Sequence, residues 1–191
     1  MTRFDNAVKF AVNAHSGMTR KGTVVPFILH PMESAAIASS ITTDEDVIIA
    51  ALLHDTVEDA RVDPEKIREA FGGRVLSLVL ADTEENPGPV VDSDVWDERK
   101  NAMIEFLKEK ADRDEKIVIL SDRLSNLRSI LSDKKIMGDA IWEVNHDQTD
   151  KYKQHWFYQS VADEMGELAG STAYDEFISL IEEIFGGGYD Y

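Results

Sequence analysis

The chain has 191 residues, 43% of them hydrophobic and 30% charged, with a formal net charge of −17 and no cysteine. That composition describes a soluble globular chain long enough to bury a sizeable core, and it excludes disulfides and thiolate metal sites. Such an acidic excess argues against general nucleic-acid binding, and it opposes small anionic ligands unless a metal and a few local cations set the field inside a pocket.

The longest uninterrupted apolar run, Val47 to Leu53, is too short to cross a bilayer. Met1 to Val12 is broken by Arg3, Asp5 and Lys9, unlike a signal peptide. A single domain over residues 1–191, cytoplasmic and without a membrane partner, is therefore expected, and the oligomeric state is left open.

In chain order, Phe4, Val8, Ala11 and Val12 predict a first helix over Arg3 to His15, stopped by Ser16-Gly17. Gly22 and Pro26 break the next stretch and place Arg20 and Lys21 on a loop before His30. Pro31 suits the first turn of a helix running to about Ser40. A helix over Thr43 to Asp59 follows, with acidic residues in its first turn and its apolar run at Val47 to Leu53.

That helix ends in His54-Asp-Thr-Val-Glu-Asp59, where His54 and Glu58 lie one turn apart, as do Asp55 and Asp59. Burying such groups is costly unless they are paired, hydrogen-bonded or bound to a metal. Taken alone, the pair His54-Asp55 is better explained as a helix end with solvated acids and a hydrogen-bonded His.

Asp63 and Pro64 open a short helix closed by Gly72-Gly73, and another spans Arg74 to Asp82. Glu84 to Asp94 reads as an exposed loop. Helices are expected over Trp96 to Lys110 and over Asp114 to Leu131, the second with an apolar stripe of Ile117, Leu120, Leu124 and Leu127. Asp122 and Asn126 sit one turn apart on that helix, with Arg123 and Arg128 nearby. Lys134 to Thr149 has no clear period, Asp150 to Ala169 reads as a long aromatic-rich helix, and Tyr174 to Phe185 as the last one. No strand run or repeat is evident, so the fold class is all-α.

His30, the His54-Asp55 pair and Asp122 are thus each expected at or near the end of a different helical element. Imidazole and carboxylate donors without thiolate suit Mn²⁺, Fe²⁺ or Zn²⁺. Further motifs accompany them: Ala14-His15, Arg20-Lys-Gly-Thr23, Pro26-Phe-Ile28, His30-Pro31, Phe71-Gly72, Arg99-Lys100 and Ser121-Asp-Arg-Leu-Ser-Asn-Leu-Arg128.

In this order the motifs, together with Ala50 to Asp59, resemble the HD-domain superfamily and within it the alarmone hydrolase branch, that of RelA/SpoT-like hydrolase domains and stand-alone small alarmone hydrolases. The resemblance covers roughly Ala7 to Arg128. It implies a helical HD-domain fold in which His30, His54, Asp55 and Asp122 bind one Mn²⁺ and Glu58 and Asp59 serve hydrolysis. It further implies that Arg20 and Lys21 contact the nucleotide, with Asn126 and Arg128 near it.

The implied substrate is guanosine 3′,5′-bispyrophosphate (ppGpp) or its pentaphosphate (pppGpp), cleaved at the 3′-diphosphate. Phe27 stands where the family usually has Tyr, and Ser125 where Tyr is common. Alternatives are an HD phosphohydrolase acting on ppApp, NADPH or a nucleoside 5′-monophosphate, or a non-catalytic alarmone-binding module. His15, His146 and His155 read as packing or surface histidines, and Trp142, Trp156, Phe157 and Tyr158 as core residues outside the site.

Overall fold

The computed structural model describes residues 2–21, 23–83, 93–144 and 148–186. The expected loop at Glu84 to Asp94 and the reading of His146 fall largely or wholly outside them. Several helices begin where a short polar side chain caps them. In α1 (Arg3–Ala14), Thr2 and Asp5 form a reciprocal capping box. In α2 (Leu29–Ile41), Pro31 lies in the first turn, where its missing N–H costs no hydrogen bond.

Asp44 caps α3 (Glu45–Leu53), accepting from the Asp46 amide at 2.9 Å. The helix expected to run unbroken from Thr43 to Asp59 is instead interrupted at His54, and α4 (Asp55–Glu58) follows. Side chains explain the interruption: His54 Nδ1 lies 2.8 Å from the Ala51 carbonyl, and Thr56 donates to the Leu53 carbonyl at 2.6 Å. Helical backbone persists through His54, and the Asp59 amide still donates to the Asp55 carbonyl at 2.9 Å.

Asp63 caps α5 (Pro64–Phe71), and Gly72, at φ +93°, turns the chain into α6 (Gly73–Ala81). Next come α7 (Ser93–Glu109) and α8 (Arg113–Met137), the latter six residues beyond the expected stop at Leu131. The polar run after Leu131 hid the continuation, and α8 stops only at Gly138, which takes φ +62°. The unassigned stretch at Lys134 holds that helix end, a 3₁₀ turn and α9 (Ile141–Val144). The long helix expected to Ala169 ends earlier, as α10 (Lys151–Glu164) and a separate 3₁₀ turn over Gly166–Leu168. Ser171 caps α11 (Thr172–Phe185).

The centre of the fold is α8, which packs against α2, α3, α6 and α11. Ile117, Leu120, Leu124 and Leu127 are fully buried there, as the stripe in the sequence predicts. Val47, Ile49 and Leu53 of α3 join the same core. Among the described residues there is no named strand, only an isolated bridge between Thr19 and Pro26 that pins the loop carrying Arg20 and Lys21. No helix among them is long and apolar enough to cross a membrane.

Candidate active site

Because α2, the α3–α4 junction and the middle of α8 are packed together, they bring His30, His54, Asp55 and Asp122 to one point. His30 Nε2 lies 2.9 Å from Asp122 Oδ1 and 3.4 Å from Asp55 Oδ2. His54 Nε2 lies 3.0 Å from Asp55 Oδ2, 3.4 Å from Asp122 Oδ1 and 3.2 Å from His30 Nε2. His30, His54 and Asp122 are all buried.

Both imidazoles are oriented from behind. The backbone carbonyl of Ala51 can only accept, so His54 Nδ1 carries a proton and Nε2 presents a lone pair to the cluster. His30 Nδ1 lies 2.8 Å from Ser125 Oγ, whose hydroxyl donates onward to Glu33 Oε2 at 2.7 Å, so His30 Nδ1 is the donor here too. Nitrogen lone pairs and carboxylate oxygens therefore converge on one volume, a donor set that fits a borderline or hard divalent cation.

The charges agree with that reading. Burial lowers the basicity of His54, yet Asp55 and Asp122 outweigh it and hold the imidazole well above its ordinary value. Burial also opposes ionisation of Asp122, but Arg123 and the two histidines keep its carboxyl well below the usual range. The cluster holds positive charge whether it comes as a proton or as a metal.

Beside the cluster, Glu58 on α4 faces Arg99 of α7 at 3.7 Å. The Asp59 carboxyl is pushed up to about 7, first by loss of water on its inner side and then by Asp55 and Glu58. Arg123 donates to Asp122 and, at 2.9 Å, to Asp82. Asp82 is buried and its Oδ2 has no hydrogen-bond partner among the described residues. Burial followed by the Asp122 charge raises this carboxyl to about 7 in spite of Arg123.

A cavity of about 330 Å³ opens over these groups. Arg20 and Lys21 line one part of it, where Arg20 donates to Asn126 Oδ1 at 2.9 Å and its guanidinium sits 5.8 Å from the Phe27 ring centroid. Asn126 in turn donates to Asp122 Oδ1 at 2.8 Å. Of the residues singled out from sequence, His30, Asp55, Glu58, Asp59, Asp122, Asn126, Arg20 and Lys21 line the cavity, and His54 lies directly behind it.

Arg128 does not line the cavity. It lies two residues past Asn126 and is rotated by roughly 200° about α8. There it pairs with Glu176 of α11, through two hydrogen bonds of 2.7 and 2.6 Å, and with Glu33 at 3.0 Å.

Sequence reasoning left several lining residues without a role. Arg99 and Lys100 enter the sequence reading only as a motif, Arg123 only as a neighbour of Asp122, and Asp82 only as the end of a helix, yet all four line the cavity. Phe157 and Tyr158, read as core only, are both core and cavity wall, with Lys100 4.9 Å from the Phe157 centroid. His15 fits its packing role, buried against Phe27 with ring centroids 5.0 Å apart, and His155 stacks on Phe185.

Comparison with known proteins places this arrangement among relatives. Residues 7–145 match the family profile described as HD domain. Guanosine-3′,5′-bis(diphosphate) 3′-pyrophosphohydrolase MESH1 of Xenopus tropicalis is 36% identical over 127 residues, spanning 65% of this chain and 67% of that protein. The guanosine-3′,5′-bis(diphosphate) 3′-pyrophosphohydrolase of Aquifex aeolicus is 33% identical over 136 residues; the match spans 65% of this chain but only 17% of that longer protein. Among solved structures, a metazoan ortholog of SpoT that hydrolyses ppGpp superposes with a TM-score of 0.75 at 25% identity, covering 98% of both chains. A protein of Listeria monocytogenes EGD-e superposes at 0.68 with 30% identity, covering 83% of this chain and 99% of the other.

Proposed function

Since the chain belongs to the HD-domain family, we propose that it hydrolyses the 3′-diphosphate of ppGpp or pppGpp, releasing pyrophosphate. The observation that carries this reading is the convergence of two lone-pair-presenting imidazoles and Asp122, next to Glu58 and Asp59 and beneath a cavity rimmed by Arg20, Lys21, Arg99 and Lys100. A polyanion needs those cations, because the protein as a whole repels it at a net charge of −17. The names of the relatives supply the substrate.

His30, His54, Asp55 and Asp122 would hold one divalent ion, Mn²⁺ on this reading. When bound, that ion acidifies water and neutralises charge on a phosphoryl group. Asp59, its carboxyl near neutrality, accepts a proton from the attacking water, and Glu58 orients that water while Arg99 keeps it in place. Water oxygen bonds to the phosphorus attached at O3′, the phosphorus–O3′ bond breaks, and O3′ takes a proton as pyrophosphate leaves.

Arg20 lies beside Phe27 and is tied to Asn126 at the cavity wall, where its planar guanidinium can stack on a purine. Lys21 supplies a point charge to phosphate, and Asn126 fixes Arg20. Arg128 contributes from behind rather than by touching the nucleotide.

The deciding experiment incubates the protein with Mn²⁺ and, separately, ppGpp, pppGpp, ppApp, NADPH and nucleoside 5′-monophosphates. Stoichiometric pyrophosphate with GDP from ppGpp is the expected result. Phosphate from a monophosphate, or tight ppGpp binding without turnover, would replace this reading with a different HD phosphohydrolase or with a binding module.

A further inference from the structure

Behind the cluster runs a chain of side chains that the proposed chemistry does not use. His30 Nδ1 donates to Ser125 Oγ at 2.8 Å, Ser125 donates to Glu33 Oε2 at 2.7 Å, and Arg128 donates to Glu33 Oε1 at 3.0 Å. Glu176 closes the far end by accepting from Arg128 with both of its oxygens. The contacts tie α2, α8 and α11 together, so a residue on the last helix reaches a candidate ligand on the second through hydrogen bonds alone.

The direction of each bond is fixed. A carboxylate cannot donate, so the only Ser125 proton goes to Glu33 and the hydroxyl must accept from His30. His30 thereby keeps its proton on Nδ1, which leaves Nε2 as the nitrogen that can offer a lone pair to a cation. The Glu33 charge, passed through the hydroxyl, makes that nitrogen a better donor to a cation, as carboxylates do behind metal-bound histidines. His54 has no such device, because the Ala51 carbonyl of its own helix performs the task. Ser125 is 1% exposed, so water does not substitute for it readily.

We propose that Glu33, acting through Ser125 and held by the Arg128–Glu176 pair, is a positioning residue that tunes the metal affinity of His30. This rests on the metal reading of the cluster given above, and it assigns α11 a part in the site. Arg128, which is not among the cavity-lining residues, thereby acquires a part in the site from behind.

The test is Mn²⁺ titration of the chelator-treated full chain, with unbound Mn²⁺ read by electron paramagnetic resonance. Ser125→Ala and Glu33→Gln should each raise the Mn²⁺ Kd about 10- to 100-fold. The double variant should be no worse than the weaker single one, since both cut the same relay. Glu176→Gln should shift Kd in the same direction by less.

Glu183→Gln, on α11 like Glu176, breaks an exposed pair with Lys135 of α8 and should leave Kd at the wild-type value. Glu33 is part-exposed, so Glu33→Gln carries the test even if Ser125→Ala does not fold. Kd values within twofold of wild type in Glu33→Gln, or losses that add in the double variant, would overturn the relay while leaving the site intact. A wild-type protein that takes up no Mn²⁺ would overturn the metal reading itself, and the relay with it.

Discussion

The Nε2 atoms of His30 and His54 lie 3.2 Å apart although each ring already donates its Nδ1 proton elsewhere. Facing each other beside Asp55 and Asp122, these two nitrogens are held together only by a shared cation, a proton in the metal-free protein or a metal ion. His54→Ala or Asp122→Ala should therefore abolish metal uptake and turnover together. Elemental analysis checks this: full occupancy in either variant would remove that residue from the ligand set.

The same geometry makes metal binding compete with a proton. Asp55 and Asp122, overriding burial, hold His54 well above its ordinary value, so at neutral pH the metal-free ring is charged. Lowering the pH below that raised value should weaken Mn²⁺ binding by about tenfold per pH unit, and uptake should release about one proton. Calorimetry in two buffers of different ionisation enthalpy gives the proton count directly. A pH-independent affinity between pH 6 and 8, chosen as about the range around an imidazole, would contradict it.

Glu58→Gln should keep metal and nucleotide affinity but lower kcat by about 100-fold or more, the scale of a lost proton-transfer or water-orienting group. A raised KM with unchanged kcat would instead make Glu58 a binding residue.

Arg20→Ala should weaken capture by about 1–3 kcal/mol, because it removes a planar charge stacked near Phe27 and held by Asn126. The loss belongs in kcat/KM. Asn126→Ala should reproduce part of it by letting Arg20 leave its position, and an Asn126 variant with wild-type kinetics would show that Arg20 needs no support.

Asp82 predicts a stability profile. Burial, with Asp122, raises its folded value to about 7 despite Arg123, whereas the unfolded chain titrates near ~3.9. The folded state then binds the extra proton, so this contribution is fully present below about pH 4 and is lost as pH rises through about 7. On the order of a few kcal/mol is at stake. Urea midpoints of metal-free protein should fall more steeply from pH 5 to 8 in wild type than in Asp82→Asn; parallel profiles would sink the assignment.

How much of this was legible in sequence follows from what kind of signal each residue leaves. His54, Asp55, Glu58 and Asp59 interrupt an apolar run, so they stand out, and Asp122 and Asn126 mark a polar face on an inward-packing helix. The end of α3 at Leu53 was not legible, because it arises from side chains bonding to carbonyls rather than from a breaking residue. Asp82 ends an apolar helix as any capping acid could, and only the arrival of Arg123 from α8 shows its role. Arg128 is expected near the nucleotide from the family resemblance, and the partners it takes here, Glu33 and Glu176, come from other helices and leave no mark in the sequence around it.

On α8, adjacent residues serve different neighbours. Asp122, Asn126, Ser129 and Asp133 face the cavity, Ser125 and Arg128 face α2 and α11, and Leu120, Leu124 and Leu127 face the core. The helix therefore behaves as a ruler with three interleaved scales, and tolerance to mutation along it should alternate among three phenotypes. Cavity positions should lose activity in a well-folded protein, the positions towards α2 and α11 should show a metal requirement that extra Mn²⁺ relieves, and core positions should lose soluble protein. A single-residue insertion before Asp122 would shift every scale by about 100° at once, so the helix should accept many substitutions but no change of length.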